Sequence, residues 1–396
     1  MRYLLFRLKR FCGFLAGFVF FIAGILKLLD PVGAGLVMKE YFGFLHLGFL
    51  ATIAKPAGVA FALFETVIGT ALVTGIWRKA TAITALIFQG LFTALTLALV
   101  IFNPEMDCGC FGEAIHLTHI QTFIKNIVLL MMLAAFAFPI KHLGGPQKRK
   151  YIAFAAVTAS VLAFTAYSWV SIPLIEFTDY RPAAALQAGN AFHSDNEGDM
   201  YEAVFVYEKD GKSEEFTLEN LPDSTWSFVE TRSVLKEDSK TSSVSLSFYN
   251  YKGEYCDTLA TYGKAMVVSV YDTDLKPSAW EKIASFLTSA QETGFRPILL
   301  VSSPAPLASE SGISEDQIFI SDYKTLITLN RSNGGVTYFS DGYLISKWAS
   351  RNVPNADELS EIFNGDDTET IIEKDTRGSL AFQGFMLYVF AIMLLL

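Results

Sequence analysis

Apolar runs of about twenty residues recur along the first 175 positions of the chain, and one more closes it. A helix needs about 20 mostly apolar residues to cross the hydrocarbon core of a bilayer. The runs therefore predict five membrane-spanning helices, over residues 11–29, 58–76, 80–102, 120–138 and 151–172. A sixth span is predicted over residues 380–396, a shorter run at the end of the chain.

A signal peptide is the rival interpretation of the first run, which follows Arg2, Arg7, Lys9 and Arg10. A signal peptide would be followed by a small-residue cleavage site. The run leads instead into Lys27-Leu-Leu-Asp-Pro-Val-Gly33. It is therefore predicted to remain as a membrane helix.

Composition separates an apolar part of the chain from an ordinary soluble part. Of all residues 52% are hydrophobic, 34 are Phe and only 18% are charged, whereas an average soluble protein has about 25% charged residues. The net charge of −9 belongs mostly to residues 176–378. No basic face of useful size exists outside the membrane flanks, which excludes a nucleic-acid partner.

Lys and Arg in the short loops predict the orientation, because cytoplasmic loops carry an excess of them. Ten lie on one side: Arg2, Arg7, Lys9, Arg10, Arg78, Lys79, Lys141, Lys148, Arg149 and Lys150. The opposite loops, 30–56 and 103–119, carry only Lys39 and Lys55. We expect a multi-pass protein of a bacterial inner membrane with a cytoplasmic N-terminus. Residues 103–119 and 173–378 are then periplasmic, and six spans return the C-terminus to the cytoplasm.

Two of the four cysteines stand out as candidate catalytic residues. Cys108 and Cys110 occur in Asp107-Cys-Gly-Cys-Phe-Gly112, on the side predicted to be oxidising, where disulfides persist. A disulfide between them would close a small ring, which gains little as a staple and tends to be labile and oxidising. Cys12 and Cys256 are interpreted as structural residues.

A metal site competes with this interpretation, because His116 and His119 follow the cysteine pair closely. Together the four side chains could supply soft ligands to zinc. The spacing of one residue between the cysteines is tighter than the usual two to four, so no metal is predicted.

Polar residues inside apolar spans are costly and indicate function by default. Glu65 must be neutral or paired, with Lys27 or Lys125 as its candidate partner. Gln89 and the pair Lys125-Asn126 are expected to face the interior of the bundle. A redox or quinone-binding role for these groups and a role in holding helices together remain alternatives.

Several of these residues carry a resemblance to a known family. They are Gly24-Ile-Leu-Lys27 with Asp30-Pro31, Glu65-x-x-x-Gly69 followed by Gly75 and Arg78, Cys108-Gly-Cys-Phe-Gly112, and Asn126. With them, about residues 10–140 resemble the DoxX-like superfamily, especially the MauE type linked to methylamine utilisation. The resemblance implies a four-helix membrane core associated with respiratory or disulfide redox processes. No motif specifies a cofactor; a quinone is the candidate, with Lys27, Glu65 and Asn126 as its candidate binding residues.

The soluble part begins with a β-rich segment. Tyr201–Tyr207 and Glu214–Leu218, separated by Glu208-Lys-Asp-Gly211, predict a β-hairpin. Beyond it, strands at 265–271 and 297–301, a helix at 278–293 and a hairpin formed by 336–339 and 343–348 resemble a thioredoxin fold.

This segment departs from a redox-active thioredoxin. The turn Asp272-Thr-Asp-Leu-Lys-Pro-Ser278 has no Cys-x-x-Cys, and Asn333-Gly334-Gly335 lacks the usual proline. We expect it to bind or position a partner, or to be a decayed relative of an active domain, since fold analogy gives no activity.

The predicted fold class is a membrane all-α bundle of DoxX/MauE type with one or two extra transmembrane helices and an exported α+β thioredoxin-like domain. The predicted segments are 1–140 (four-helix membrane domain), 141–172 (fifth helix), 173–262 (β-rich segment), 263–365 (thioredoxin-like domain) and 380–396 (last helix). The leading hypothesis is a membrane thiol–disulfide or electron-transfer protein contacting the bilayer, an envelope client and a redox partner. The alternative is a non-enzymatic scaffold or assembly factor whose cysteines are structural or bind metal.

Overall fold

Two compact units make up the computed structural model of the chain. The first contains Met1–Phe177 and Asp375–Leu396, and the second contains Thr178–Lys374. The structure describes residues 2–104, 106–138, 148–186, 201–209, 212–217, 226–235, 243–304 and 312–395. Lys141, the predicted turn residues 210 and 211, and Leu218 lie outside these ranges.

Helices account for nearly all of the first unit. They are α1 (Arg2–Leu29), α2 (Pro31–Phe44), α3 (Ala54–Thr74), α4 (Arg78–Phe102), α5 (His119–Ala137) and α6 (Lys148–Val170). Six helical segments of the described chain are long and apolar enough to cross a membrane: 7–29, 48–74, 78–102, 119–137, 148–170 and 367–395. This supports a multi-pass membrane region, and the predicted spans agree with it to within a few residues at most boundaries.

The treatment of residues 30–56 as a connecting loop was wrong, because most of them form α2. Asp30 caps this helix by accepting a hydrogen bond from the Gly33 amide at 2.9 Å, and Pro31 occupies its first turn. A short acceptor side chain at the cap followed by proline favours a helix start. A 3₁₀ turn, Gly48–Ile53, then leads into α3.

The last helix is longer than the predicted 380–396. It covers Asp367–Leu395, 29 residues, because the polar stretch before residue 380 is helical as well. Its apolar end packs inside the first unit, where Phe385 stacks on Phe164 at 4.6 Å and Phe390 meets Phe21 edge-on at 5.5 Å.

Glycines let α1 and α3 approach closely. A Cβ atom on Gly69 would lie 2.5 Å from the backbone nitrogen of Phe21, and one on Gly24 would lie 2.8 Å from the Ala62 carbonyl oxygen. Helices associate in membranes through this kind of close packing between small residues. The approach brings the buried polar residues of the two helices together.

The second unit contains an eight-stranded sheet with the order β6-β2-β12-β11-β8-β9-β10-β7. Its strands are β2 (Ala185–Leu186), β6 (Ser243–Val244), β7 (Phe248–Tyr249), β8 (Lys264–Val270), β9 (Arg296–Val301), β10 (Ile318–Ser321), β11 (Gly335–Ser340) and β12 (Tyr343–Trp348). Its helices are Pro277–Thr293 (α7), Tyr323–Leu329 (α8) and Ala356–Asn364 (α9), with Asp367–Leu395 following as α10.

The predicted strand, helix, strand and closing hairpin are all present. β8 and β9 are parallel and are connected by α7, while β11 is antiparallel to both β8 and β12. Sequence reasoning missed β10, which pairs in parallel with β9, and the α8 helix after it. The thioredoxin-like interpretation of this arrangement stays a prediction.

Apolar side chains cover both faces of the central strands. Met266, Val268 and Val270 of β8 pack with Trp280 of α7 on one face, whereas Val267 packs on the other. This two-sided burial explains the continuous apolar runs of β8 and β9. A separate three-stranded sheet, β4-β3-β5, comprises Tyr201–Lys209 (β3), Lys212–Thr217 (β4) and Ser227–Leu235 (β5). Its β3 and β4 pair as the predicted antiparallel hairpin.

Candidate functional site

Cys108 and Cys110 lie in the segment that connects α4 to α5, and both carry free thiols. Cys110 begins a short strand, β1 (Cys110–Glu113). Each cysteine is only 3% exposed, and together with Tyr41 and Leu99 they form a small buried cluster. The cysteine pair is therefore embedded at one end of the bundle.

Two glycines shape the segment that carries the thiols. Gly109 has φ +56°, and a Cβ atom placed on it would lie 2.3 Å from Val37 of α2. Gly112 has φ +61° and rests on the end of α1, with its Cβ position 3.4 Å from the Leu26 carbonyl oxygen. Left-handed backbone and close approach both require glycine. The Cys-Gly-Cys-Phe-Gly spacing is thus explained by the backbone as well as by the thiols.

Tyr41 of α2 also contacts the cysteine segment. Its hydroxyl donates a hydrogen bond to the carbonyl oxygen of Cys108 at 2.8 Å. Burial raises the pKa of Tyr41, and negative charge on either cysteine or on Glu40 would raise it further. Tyr41 therefore stays protonated as a donor.

Two side chains of α5 act on the Cys108 thiol. Burial raises the pKa of Cys108, and the nearby Thr122 hydroxyl and Lys125 ammonium lower it in part. Thr122 is fully buried, and among the described residues its hydroxyl makes no hydrogen bond of ordinary geometry. The hydroxyl is a polar neighbour of the Cys108 thiol. The Lys125 ammonium lies 4.8 Å from the ring centre of Phe111, next to the second cysteine.

Lys27 and Glu65 form a salt bridge 2.5 Å long between α1 and α3. Their side chains are 7% and 10% exposed. Of the two candidate partners for Glu65, the structure selects Lys27. The Lys27 ammonium also lies 5.6 Å from the ring centre of Phe61. Both charges are thereby kept off the surface that a bilayer would cover.

A cavity of about 160 Å³ has Lys27 of the ion pair and Cys108 of the thiol pair in its wall. It is lined by Lys27, Ala34, Val37, Met38, Tyr41, Phe42, Leu45, Gly58, Phe61, Phe92, Leu95, Cys108 and Gly109. Its wall is almost wholly apolar apart from the Lys27 ammonium, the Tyr41 hydroxyl and the Cys108 thiol. Leu45 at the rim is 46% exposed, so the cavity reaches the surface of the unit.

Asn126 does not join this cavity. Its side-chain amide donates to the Thr96 hydroxyl at 3.2 Å, and its backbone carbonyl oxygen accepts from the Gln89 side chain at 3.2 Å. Both Asn126 and Gln89 are buried, as predicted. They connect α4 to α5, which fits the helix-holding alternative. Of the three candidate binding residues, the structure brings together only Lys27 and Glu65.

The histidines after the cysteines point to other partners. His116 lies 3.5 Å from the Asp107 carboxylate at an exposed position. The ring of His119 contacts Asn103 and the Met106 carbonyl oxygen at 3.3 and 3.0 Å. Within the described ranges, no three His, Cys, Asp or Glu side chains are grouped as metal ligands.

The other cysteines lie apart from this site. Cys12 is partly buried in α1. Cys256 precedes a 3₁₀ turn in the second unit, where its thiol donates to the Glu254 carbonyl oxygen at 3.4 Å.

Sequence reasoning missed Tyr41, Val37 and Thr122 as neighbours of the thiols. The first two belong to α2, whose start was signalled by Asp30-Pro31. Thr122 lies one turn into α5 and four residues after its capping residue, Thr118. Predicting a helix over residues 31–44 would have marked Tyr41 and Val37 as candidates. Only the tertiary structure shows which face of that helix contacts the cysteines.

The comparisons with known proteins agree with the membrane part. Residues 4–139 match the family model described as methylamine utilisation protein MauE. Residues 201–238 match a domain of unknown function, DUF8463. No curated protein and no solved structure matches the chain. The match supports a MauE-type membrane protein in contact with a lipid bilayer, whereas the wider DoxX resemblance stays a prediction.

Proposed function

We propose that the chain is a membrane thiol–disulfide oxidoreductase in which Cys108 and Cys110 alternate between dithiol and disulfide. The observation that carries the proposal is the position of the pair. Two free thiols, one glycine apart, are buried together inside a membrane bundle, and Cys108 lies in the wall of an apolar cavity. Loop charges favour the extracytoplasmic side of an inner membrane for this segment.

The surroundings of Cys108 suit thiol exchange. Only the thiolate attacks a disulfide, and burial alone would suppress it. The Lys125 ammonium and the Thr122 hydroxyl counter that effect at Cys108. A disulfide across one glycine would close a small ring, which favours its opening by an incoming thiolate.

A client thiolate attacks the Cys108–Cys110 disulfide and forms a mixed disulfide, releasing one cysteine as thiolate. The client's second thiolate then attacks the mixed disulfide, which leaves an oxidised client and a reduced cysteine pair. To restore the disulfide, the pair must lose two electrons and two protons to an acceptor.

A quinone, which would leave as hydroquinone, is the candidate acceptor. A cavity of 150 Å³ lined by apolar side chains holds a benzene ring, so the cavity of about 160 Å³ beside Cys108 has room for one quinone ring. Phe61 and Phe92 offer aromatic packing, and the Lys27 ammonium offers a hydrogen-bond donor to a ring oxygen. The opening beside Leu45 would admit a lipid-soluble ring from the bilayer.

A second candidate is a non-enzymatic scaffold or assembly factor for an envelope protein. Two observations favour it. Both thiols are only 3% exposed, and the second unit contains Cys256 as its single cysteine, so it offers no thiol pair of its own.

Trapping of mixed disulfides separates the two functions. The variants Cys108→Ser and Cys110→Ser are expressed in cells. Acid stops thiol exchange, and maleimide then blocks the free thiols. Disulfide-linked partners are resolved on non-reducing gels. One of the two variants should accumulate a reducible adduct, because the remaining cysteine cannot be released by its neighbour. Cys12→Ser and Cys256→Ser serve as matched controls. The scaffold function is favoured if neither Cys108→Ser nor Cys110→Ser captures a protein and the ratio of thiol to disulfide in the wild-type pair does not change with the quinone supply.

A further inference from the structure

A second cavity, far larger than the one beside the thiols, opens on the second unit. It has a volume of about 690 Å³ and lies between α7, the turn at 333–336 and the segment 350–356. Ligand sites in proteins usually fall between about 300 and 1,000 Å³. The cavity is named the α7 groove below.

The floor of the α7 groove is apolar and its walls are polar. Ile283, Phe286, Val336 and Val353 form the floor. Three serines of α7 line one wall: Ser278, Ser285 and Ser289. An apolar base with a few polar groups at the edge is the usual design of a binding site.

Charge distinguishes the α7 groove from the rest of its unit. Residues 178–374 contain 32 Asp and Glu but only 16 Lys and Arg. The charged residues that line the groove are nevertheless Lys282 and Arg351, and none of the described residues lining it is acidic. Both cations are exposed, and neither forms a salt bridge within the described part of the chain.

The length of the groove suits an extended chain. Its lining runs along α7 from Ser278 to Ser289, which at 1.5 Å per residue is about 16 Å. An extended peptide rises about 3.3 Å per residue, so about five residues would fill that length. Alternate side chains would face the apolar floor while the others reach the rim.

We propose that the α7 groove binds an extended segment of a partner protein in which acidic residues alternate with apolar ones. Apolar side chains pack on Ile283 and Phe286, and carboxylates meet Lys282 and Arg351. The proposal does not depend on thiol chemistry, so it can stand or fall separately from the proposed redox function.

Binding of labelled peptides to the full chain in lipid nanodiscs tests the proposal. The probe is a short fluorescent peptide alternating Asp with Leu or Val, and the matched peptide carries Lys in place of Asp. Fluorescence anisotropy should detect the acidic peptide alone. Its affinity should fall as salt rises, because exposed charges are screened.

Variants locate the site. An exposed ion pair contributes about 0.2–1 kcal/mol, which is about a 1.4- to fivefold change in affinity for each cation lost. Lys282→Glu with Arg351→Glu adds repulsion and should weaken the acidic peptide by at least about fivefold, whereas Lys282→Arg should preserve binding. Lys324→Glu makes the same charge change at an exposed residue outside the groove and serves as control. Ser285→Trp should block binding by filling the groove without changing its charge.

Three results would overturn the proposal. One is equal binding of the Lys peptide, and another is a double variant that behaves like Lys324→Glu. The third is displacement of the peptide by inorganic phosphate at matched ionic strength, which would indicate a simple anion site. Cys108→Ser with Cys110→Ser should bind the peptide normally, so failure of the redox function leaves this result unchanged.

Discussion

The Lys27 ammonium contacts the Glu65 carboxylate at 2.5 Å, and both side chains are almost fully buried between α1 and α3. Removing one partner of a buried ion pair leaves an uncompensated charge, which costs about 3–5 kcal/mol. Replacing both partners by apolar residues of similar size is often neutral or stabilising.

We therefore expect Lys27→Met and Glu65→Leu each to lower the midpoint of thermal unfolding in detergent, and the double variant to recover most of the loss. Intrinsic fluorescence during heating provides the measurement. Gln89→Leu removes a buried polar group without leaving an unpaired charge and serves as comparison. A double variant as unstable as the two single losses combined would mean that the residues act independently.

Gly109 should not tolerate alanine. A Cβ atom there would lie 2.3 Å from Val37, on a backbone with φ +56°. Gly109→Ala is expected to destabilise the cysteine segment by more than 1 kcal/mol and to speed maleimide labelling of both thiols in the folded protein. Gly90 lies within α4, and no atom of another helix lies within 4 Å of its Cβ position, so Gly90→Ala should leave labelling unchanged. Equal labelling of the two variants would contradict the close packing of Gly109 on α2.

The substitution Val37→Ala separates the steric contact with Val37 from the strain of the left-handed backbone at residue 109. Combined with Gly109→Ala, it relieves the steric contact but not the left-handed backbone. Partial recovery of slow labelling is expected, and full recovery would assign the whole effect to Val37.

Alkylation of Cys108 should require a higher pH than an ordinary thiol does. Burial raises its pKa, and Lys125 and Thr122 lower it in part. In a Cys110→Ser background, the midpoint of the iodoacetamide rate against pH should lie above that of a model thiol. Lys125→Met and Thr122→Val should each move the midpoint further up. Mass spectrometry of the labelled peptide measures the alkylation rate at each pH. Lys79→Met, at the start of α4, is the control for a general charge effect. A midpoint that does not move would remove Lys125 as a neighbour that stabilises the thiolate.

The second unit should lose stability at alkaline pH through Tyr271. Burial raises the pKa of Tyr271 from 10.0 to about 12. Between these values the unfolded chain has released the proton while the folded chain retains it, so the free energy of unfolding falls as pH rises. Below pH 10 the contribution is fully present. Tyr271→Phe should flatten this part of the pH profile, measured by thermal unfolding of the full chain in detergent. Tyr343→Phe alters an exposed tyrosine and should leave the slope unchanged.

Sequence patterns with a short range were sufficient for the long apolar helices and for six of the twelve described strands, but not for α2, α8 or α9. The apolar run of α4 ends at Phe102 in both the prediction and the structure, because hydrophobic length is a local property of the chain. The α7 helix begins at Pro277, one residue from its predicted start. The parallel strand β10 was missed, because four residues carry too little pattern and the strand is recognised only through its partner β9.

The residues of the candidate site also differ in how far the sequence could predict them. The sequence alone was enough to select Cys108, Cys110, Lys27 and Glu65. A close pair of thiols is uncommon, and so is a charged residue inside an apolar span. Asn126 was selected for the same reason, yet it lies in a separate hydrogen-bond network with Thr96 and Gln89. Position along a helix does not say which neighbouring helix a polar group will meet.

The sequence by itself determined that the chain has a multi-pass membrane region, that a thiol pair follows α4 and that charge concentrates in the second unit. These follow from runs of residue types along the chain. Only the tertiary structure decided that Lys27 pairs with Glu65, that α2 presses Val37 and Tyr41 against the cysteine segment, and that a cavity opens beside Cys108. The physical reason is close packing: which side chains meet across helices depends on glycine contacts and helix rotation, and these are set by the whole bundle at once.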